Sequence, residues 1–310
     1  MLNRGTTAVR PILKWAGGKR QLLPQLRRFY PSDFRRYIEP FVGSGAVFLD
    51  LHNAGLVDGR AVRLSDINAD VIGCYHMVRD AVEEVIACLA DLEAGHQSRG
   101  DAHFYEVRDD RFNTQRRALA GTPDRRYTPE LAAMLIYLNR TGYNGLFRVN
   151  SLGEFNVPAG RHQSAPRICD SDNLRQLSRA LSRRGVTLQA RPFDEAIEDA
   201  GAGDFVYLDP PYAPLSRTAH FTSYTASRFG PDEQARLQKI VIRIARRGAR
   251  VLLSNSLAPE IRRLYEENVD ARRAGLTARR VAARRAINSR ATRRGAVLEY
   301  LISNVRPAQP

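Results

Sequence analysis

Tyr37-Ile38-Glu39-Pro40-Phe41-Val42-Gly43-Ser44-Gly45-Ala46 decides the fold. Its first residues end a short strand, its glycines make a turn, and Ala46 to Asn53 has helical composition. Glycines between a strand and a helix let the backbone approach a ligand closely, at the carboxyl edge of an α/β sheet where nucleotides bind. Taken alone, a Gly-x-Gly is as often an ordinary tight turn. The next unit adds weight, because Ala61 to Leu64 makes a second strand closed by Asp66, 21 residues after Gly45. A carboxylate at that spacing holds a ribose hydroxyl pair. A dinucleotide site would want a third glycine where Phe48 stands, so an adenosyl ligand without pyrophosphate fits better.

Outward from this unit, Asp70 to Arg79 carries Val71, Ile72, Tyr75 and Val78 at helical spacing, and the pattern stays helical from about Ala81 to Asn139. A polar, glycine-punctuated segment from Thr141 to Pro166 is too long for an ordinary connector, and its Asn, Arg and aromatic residues suit a recognition loop. Strands resume at Val186 to Gln189, Asp204 to Leu208, Val251 to Ser254 and Val297 to Ile302, with helices at Asp232 to Arg246 and around Pro259 to Tyr265. The expected architecture is an open α/β, Rossmann-like core made of residues 1–70 and 185–310, interrupted by a mostly helical insert at 70–185.

Composition narrows the function. The 310 residues are 43% hydrophobic, enough for a sizeable core, and no apolar run approaches the ~20 residues of a membrane span. With no secretory pattern at Met1 to Arg10, a cytoplasmic protein is expected. Cys74, Cys88 and Cys169 lie far apart, as reduced thiols do, and the six histidines form no ligand-like pair, so no metal is expected. The net charge of +15 points to a polyanion, nucleic acid before membrane. Arg272, Arg273, Arg279, Arg280, Arg284, Arg285, Arg290, Arg293 and Arg294 crowd a stretch with no acidic residue after Asp270, which suits phosphate contacts beyond any general arginine bias.

Two further motifs carry chemistry. Lys14-Trp15-Ala16-Gly17-Gly18-Lys19 is a second glycine turn holding two of the chain's three lysines. A compact ammonium reaches where a guanidinium fork would not, which suits Lys19 to the carboxylate of a methionyl group and Lys14 to DNA, with Trp15 beside the cofactor. Tyr207-Leu208-Asp209-Pro210-Pro211-Tyr212 ends an apolar strand. The amino lone pair of adenine is delocalised into the ring, so its attack on a methyl sulfonium needs acceptors that polarise the amino hydrogens. Asp209 and the Pro210 carbonyl can serve, with prolines fixing the backbone and Tyr212 offering a stacking face to an extruded base. S-adenosylmethionine, which has a ribose and a carboxylate but no phosphate, is the cofactor this set predicts. A nicotinamide oxidoreductase would want the third glycine, and a glutamine or RNA methyltransferase would not predict the long basic insert. A DNA-binding protein without turnover would have no need of intact motifs.

At these residues the chain resembles the Dam-type, D12-class, DNA adenine methyltransferases. The resemblance runs from about Ile12 to Asn304 through the blocks Lys14 to Lys19, Glu39 to Gly45, Asp66 to Asn68, Leu138 to Leu146, Gly153 to Pro158 and Asp209 to Leu215. It implies a methyltransferase core with a mixed seven-stranded sheet, an inserted helical target-recognition domain, and N6-adenine methylation of double-stranded DNA with base flipping. It implies cofactor contacts at Trp15, Lys19, Gly43, Asp66, Asp209 and, beside the cofactor adenine, Phe193. Catalytic roles fall on Asp209, Pro210 and Tyr212. Tyr143, Asn144, Leu146, Arg148 and Pro158 are groove-reading types, and in the resembled family these positions read GATC, with Lys14 near the first guanine. A monomer associated with the nucleoid through DNA is expected. The chain departs from the family where Ser289-Arg290-Ala291 replaces a glycine-containing turn and where His162 replaces an aromatic hydroxyl.

Overall fold

The computed structural model describes residues 8–15, 19–119, 126–161, 166–214, 229–284 and 296–308. Gly17, Gly18, His162, Leu215 and the arginines at 285, 290, 293 and 294 lie outside the described residues. The core is a seven-stranded sheet of β1 (Arg36–Glu39), β2 (Ala61–Asp66), β3 (Val186–Ala190), β4 (Asp204–Leu208), β5 (Arg250–Ser256), β6 (Thr277–Arg284) and β7 (Ala296–Ser303). The strand order is β3-β2-β1-β4-β5-β7-β6, with β7 antiparallel to its neighbours and the other pairings parallel. The mixed Rossmann-like α/β core is as expected. Its direction of winding reverses between β1 and β4, and such a switch leaves a crevice at the carboxyl ends of the strands.

Alternation along the strands sorts the core into two layers. Tyr37, Phe205, Tyr207, Leu252 and Leu301 face one side, and Ile38, Val206, Leu208, Val251, Leu253 and Ile302 face the other. The second face is covered by the helix Pro231–Arg246 through Leu237, Val241 and Ile244. The first shares one continuous cluster with Val71, Val78 and Leu131 to Leu138. The helices between β2 and β3 therefore pack on the sheet rather than around a separate centre. Their ends follow from capping. Asn68 accepts from Asp70 N at 3.0 Å to start Ala69–Asp80, and Thr128 accepts from Leu131 N at 3.1 Å ahead of Pro129 to start Pro129–Thr141.

Thr141 to Gly160 folds as a small hairpin, with antiparallel bridges Gly142 to Ala159 and Val149 to Phe155. Asn113 holds its far arm like an extra strand, donating to Phe155 O at 2.9 Å and accepting from Phe155 N at 2.8 Å. Arg116 pairs with Asp70 at 2.7 Å and donates to Gly153 O at 2.6 Å. At the β6 edge of the sheet the arginine stretch enters the strand, where Arg280 pairs with Glu266 at 3.0 Å and Arg279 lies over the Phe29 ring. Those two side chains are engaged within the protein, and the acid that the stretch lacks comes from just before it.

Candidate active site

The quoted motif ends β1 and places Gly43 and Gly45 at φ of +45° and +65°, a left-handed conformation that favours glycine. The turn is gripped at both ends. Gly43 N donates to Asp66 Oδ2 at 3.0 Å, and Tyr75 OH donates to Gly43 O at 2.8 Å. A side chain at Gly43 would stand 2.8 Å from Trp15 Cδ1, so the indole is seated directly on the turn. Asp66 also accepts from Asn68 N at 2.9 Å, and burial raises its carboxyl to about 6. It shapes the glycine turn from the end of β2.

Phe193 stacks on Phe41 with ring centres 5.5 Å apart, and Phe229 closes against both. Beside it, Asp194 Oδ1 is a buried oxygen without a partner among the described residues. A cluster of aromatic rings beside an unsatisfied buried oxygen, a glycine turn and an acid at the end of β2 are chemically suited to an adenosyl cofactor. Among the described residues there is no group of three or more His, Cys, Asp or Glu arranged to hold a metal ion.

Across the switch point, Asp209 leaves β4 about a fifth exposed. Burial raises its carboxyl above the usual value, opposed by Lys19 and Ser254. Lys19 Nζ stands 2.8 Å from Asp209 Oδ1, and Ser254 Oγ donates to the same oxygen at 2.9 Å. Neither Asp209 Oδ2 nor Pro210 O receives a hydrogen bond among the described residues. Lys19 is thus placed on Asp209 and, 4.5 Å away, on the Tyr212 ring. The Tyr212 hydroxyl donates to Glu299 Oε2 at 2.9 Å.

Glu39, in the quoted motif, had no assigned role. It is 2% exposed, and both Tyr37 OH at 2.9 Å and Phe48 N at 3.2 Å donate to its Oε2. Burial, with Asp209 and Asp66 nearby, raises it to about 8, so the folded protein holds Glu39 protonated at neutral pH. In the unfolded chain the carboxyl loses its proton near 4.5. Between those values the folded state binds one more proton, so this group's contribution to stability falls as pH rises. Glu39→Gln, which cannot ionise, is expected to gain about 2–4 kcal/mol relative to wild type between pH 5 and pH 8. Urea unfolding at both pH values checks this, and an equal pH dependence in the two proteins would remove the protonated carboxyl.

The recognition candidates gather on the hairpin. Tyr143, Asn144, Arg148 and Pro158 are exposed and Leu146 is half-buried. Tyr143 N donates to Pro158 O at 2.9 Å, which sets the two sequence blocks side by side. Arg148 is braced by Asn156, donating from Nε to Oδ1 at 2.8 Å and from a terminal nitrogen to the carbonyl at 3.2 Å. Asn139 ties the hairpin to the first glycine motif, since it accepts from Lys14 N at 2.7 Å and donates to Lys14 O and Gly145 O. Partial burial, and then repulsion from Arg140, lowers the Lys14 ammonium. Trp15 stacks on Phe147, ring centres 6.0 Å apart, so the cofactor and recognition candidates meet.

The sheet order, the glycine turn at the switch point and the Asp-Pro-Pro-Tyr exit define a Rossmann-like methyltransferase. The family model described as D12 class N6 adenine-specific DNA methyltransferase matches residues 15–281, and the chain belongs to that family. It is 38% identical over 307 residues to the type II methyltransferase M.MjaIII of Methanocaldococcus jannaschii, covering 96% of this chain and 99% of the relative. It is 33% identical over 304 residues to the type II methyltransferase M1.LlaDCHI of Lactococcus lactis subsp. cremoris, covering 98% of each. The DNA adenine methylase of Escherichia coli K12 is 35% identical over 246 residues, covering 79% of this chain and 80% of the relative. Membership implies S-adenosylmethionine as methyl donor and DNA as substrate. Among the described residues no helix is long and apolar enough to cross a membrane.

Proposed function

We propose that the chain methylates the N6 amino group of adenine in GATC on duplex DNA, taking the base out of the helix and transferring the methyl group directly. The observation that carries the chemistry is the pair of acceptors Asp209 Oδ2 and Pro210 O, which receive no hydrogen bond among the described residues, at the end of β4 with a lysine and an aromatic ring beside them. Together they polarise the two amino hydrogens as the nitrogen becomes tetrahedral, and Asp209 takes the proton that the nitrogen sheds. Tyr212, its hydroxyl tied to Glu299, presents its ring to the extruded base. Bound S-adenosylmethionine supplies an electrophilic methyl group. Asp66 would hold its ribose, Gly43 and Trp15 its flank, and Phe193 with Asp194 its adenine.

Residues 1–70 and 185–310 form the catalytic core in this proposal, and 70–185 read the target. A monomer suffices, because both sets of candidates lie on one chain, and the positive charge keeps the protein on nucleoid DNA. Specificity rests on the hairpin. Arg148 is exposed yet braced by Asn156, a pre-set fork of the kind that reads guanine O6 and N7. Lys14, Tyr143, Asn144, Leu146 and Pro158 complete the reading surface. Mapping methylated adenines in exposed DNA tests this. GATC is expected for the wild type, and Arg148→Ala is expected to lose ~1–3 kcal/mol of discrimination at one guanine and spread to near-cognate sites. A uniform loss at all sequences would make Arg148 a phosphate contact. A wild-type motif unrelated to GATC would end the specificity assignment and leave the chemistry standing.

A further inference from the structure

The turn Asp209-Pro210-Pro211-Tyr212-Ala213 is short of backbone donors, because its prolines have no N–H. Its shape therefore depends on what grips the remaining groups, and buried side chains from two elements do so. Gln234 Nε2, from the first turn of Pro231–Arg246, donates to Pro211 O at 2.8 Å. Asn255 Oδ1, near the end of β5, accepts from Ala213 N at 3.2 Å, and Ser256 Oγ donates to Ala213 O at 2.6 Å. The two amides are joined, Asn255 Nδ2 donating to Gln234 Oε1 at 3.1 Å, and Asn255 Oδ1 also accepts from Ser256 N at 2.8 Å.

Both ends of each amide are thus engaged, so neither can flip without breaking bonds. Gln234 is 1% exposed and Asn255 0%, which makes every broken bond a buried unpaired group. The same end of β5 supplies Ser254 to Asp209 Oδ1. Pro210 O, one peptide before the gripped Pro211 O, receives no hydrogen bond among the described residues. A carbonyl left open between anchored neighbours is a directed acceptor.

We propose that Gln234 and Asn255 are positioning residues for methyl transfer, locking the peptide that follows Pro210 so that its carbonyl points at the adenine amino group. This rests on the assignment of Asp209 and Pro210 as the acceptors. A shift of a fraction of an ångström at a reacting group slows the step and leaves remote binding alone.

The test is single-turnover methylation of duplex DNA together with direct measurement of cofactor and DNA affinity. Gln234→Met keeps the side chain's length without its amide. It is expected to lower the methylation rate about 10- to 30-fold, with both dissociation constants within about threefold of wild type. Asn255→Asp keeps the acceptor for Ala213 N but loses the donor to Gln234, and the same fall is expected. The double variant should lie within about twofold of the slower single one, because the two residues form one relay. A rate within about threefold of wild type for Gln234→Met overturns the proposal. So does a fall matched by an equal loss of cofactor affinity, which is the sign of general disorder. If Gln234→Met does not fold, Ser256→Ala, which deletes one hydroxyl from the same turn, is judged by the same criteria. A wild-type protein that folds and binds DNA but methylates no adenine overturns the underlying assignment as well. An active wild type with unaffected variants overturns only the positioning role.

Discussion

Asp209→Ala is expected to slow methyl transfer to duplex DNA by about 10³-fold or more, while DNA affinity changes by less than about threefold. The carboxylate sits at the end of β4 with Oδ1 held by Lys19 and Ser254, so Oδ2 is presented in a fixed direction. Such an acceptor matters most as positive charge builds on the amino nitrogen, which places its contribution in the transition state and not in binding. Phosphate contacts dominate duplex affinity in general, and an anionic carboxylate makes none. Transfer of a labelled methyl group, measured beside DNA binding, checks both halves, and turnover near the wild-type rate would remove Asp209 from the chemistry.

Lys19→Met is expected to lower the rate at neutral pH by about 10²-fold and to move the acidic limb of the pH–rate profile upward. The sign follows from the site. Burial already raises Asp209, with Lys19 the foremost opposing influence, so removing the ammonium raises the carboxyl further and more of it is protonated at a given pH. A protonated Asp209 is a poor acceptor, and raising the pH should restore part of the activity. The methionine keeps the lysine stem against Tyr212. A variant whose limb stays in place while its cofactor affinity falls would instead put Lys19 on the methionyl carboxylate, the role its compact ammonium suits.

Several features were invisible along the chain. β6, Thr277-Ala-Arg-Arg-Val-Ala-Ala-Arg, has a composition that favours helix, and it becomes an edge strand because β7 pairs with it over eight residues. Nor does the chain show that Glu266 reaches Arg280 from a preceding turn. Glu39 stood in the opening motif, but only burial makes its carboxyl a protonated group. Gln234, Asn255 and Ser256 are ordinary polar residues until the 209–213 turn closes on them.

What the amino-acid order determined by itself was local and periodic. The strand, glycine turn and helix around Gly43, the acid at Asp66, the proline-stiffened exit at Asp209 and the helical periodicity of the insert each depend on a few consecutive residues. Their identities constrain the backbone directly. Tertiary structure alone decided which of these meet. Trp15 reaches Phe147, Asn139 joins Lys14 to the hairpin, Lys19 finds Asp209, and Glu299 finds Tyr212. Each pairing spans a long stretch of chain and arises because strand order and packing bring the carboxyl ends of the sheet together, a constraint with no periodic trace in the sequence.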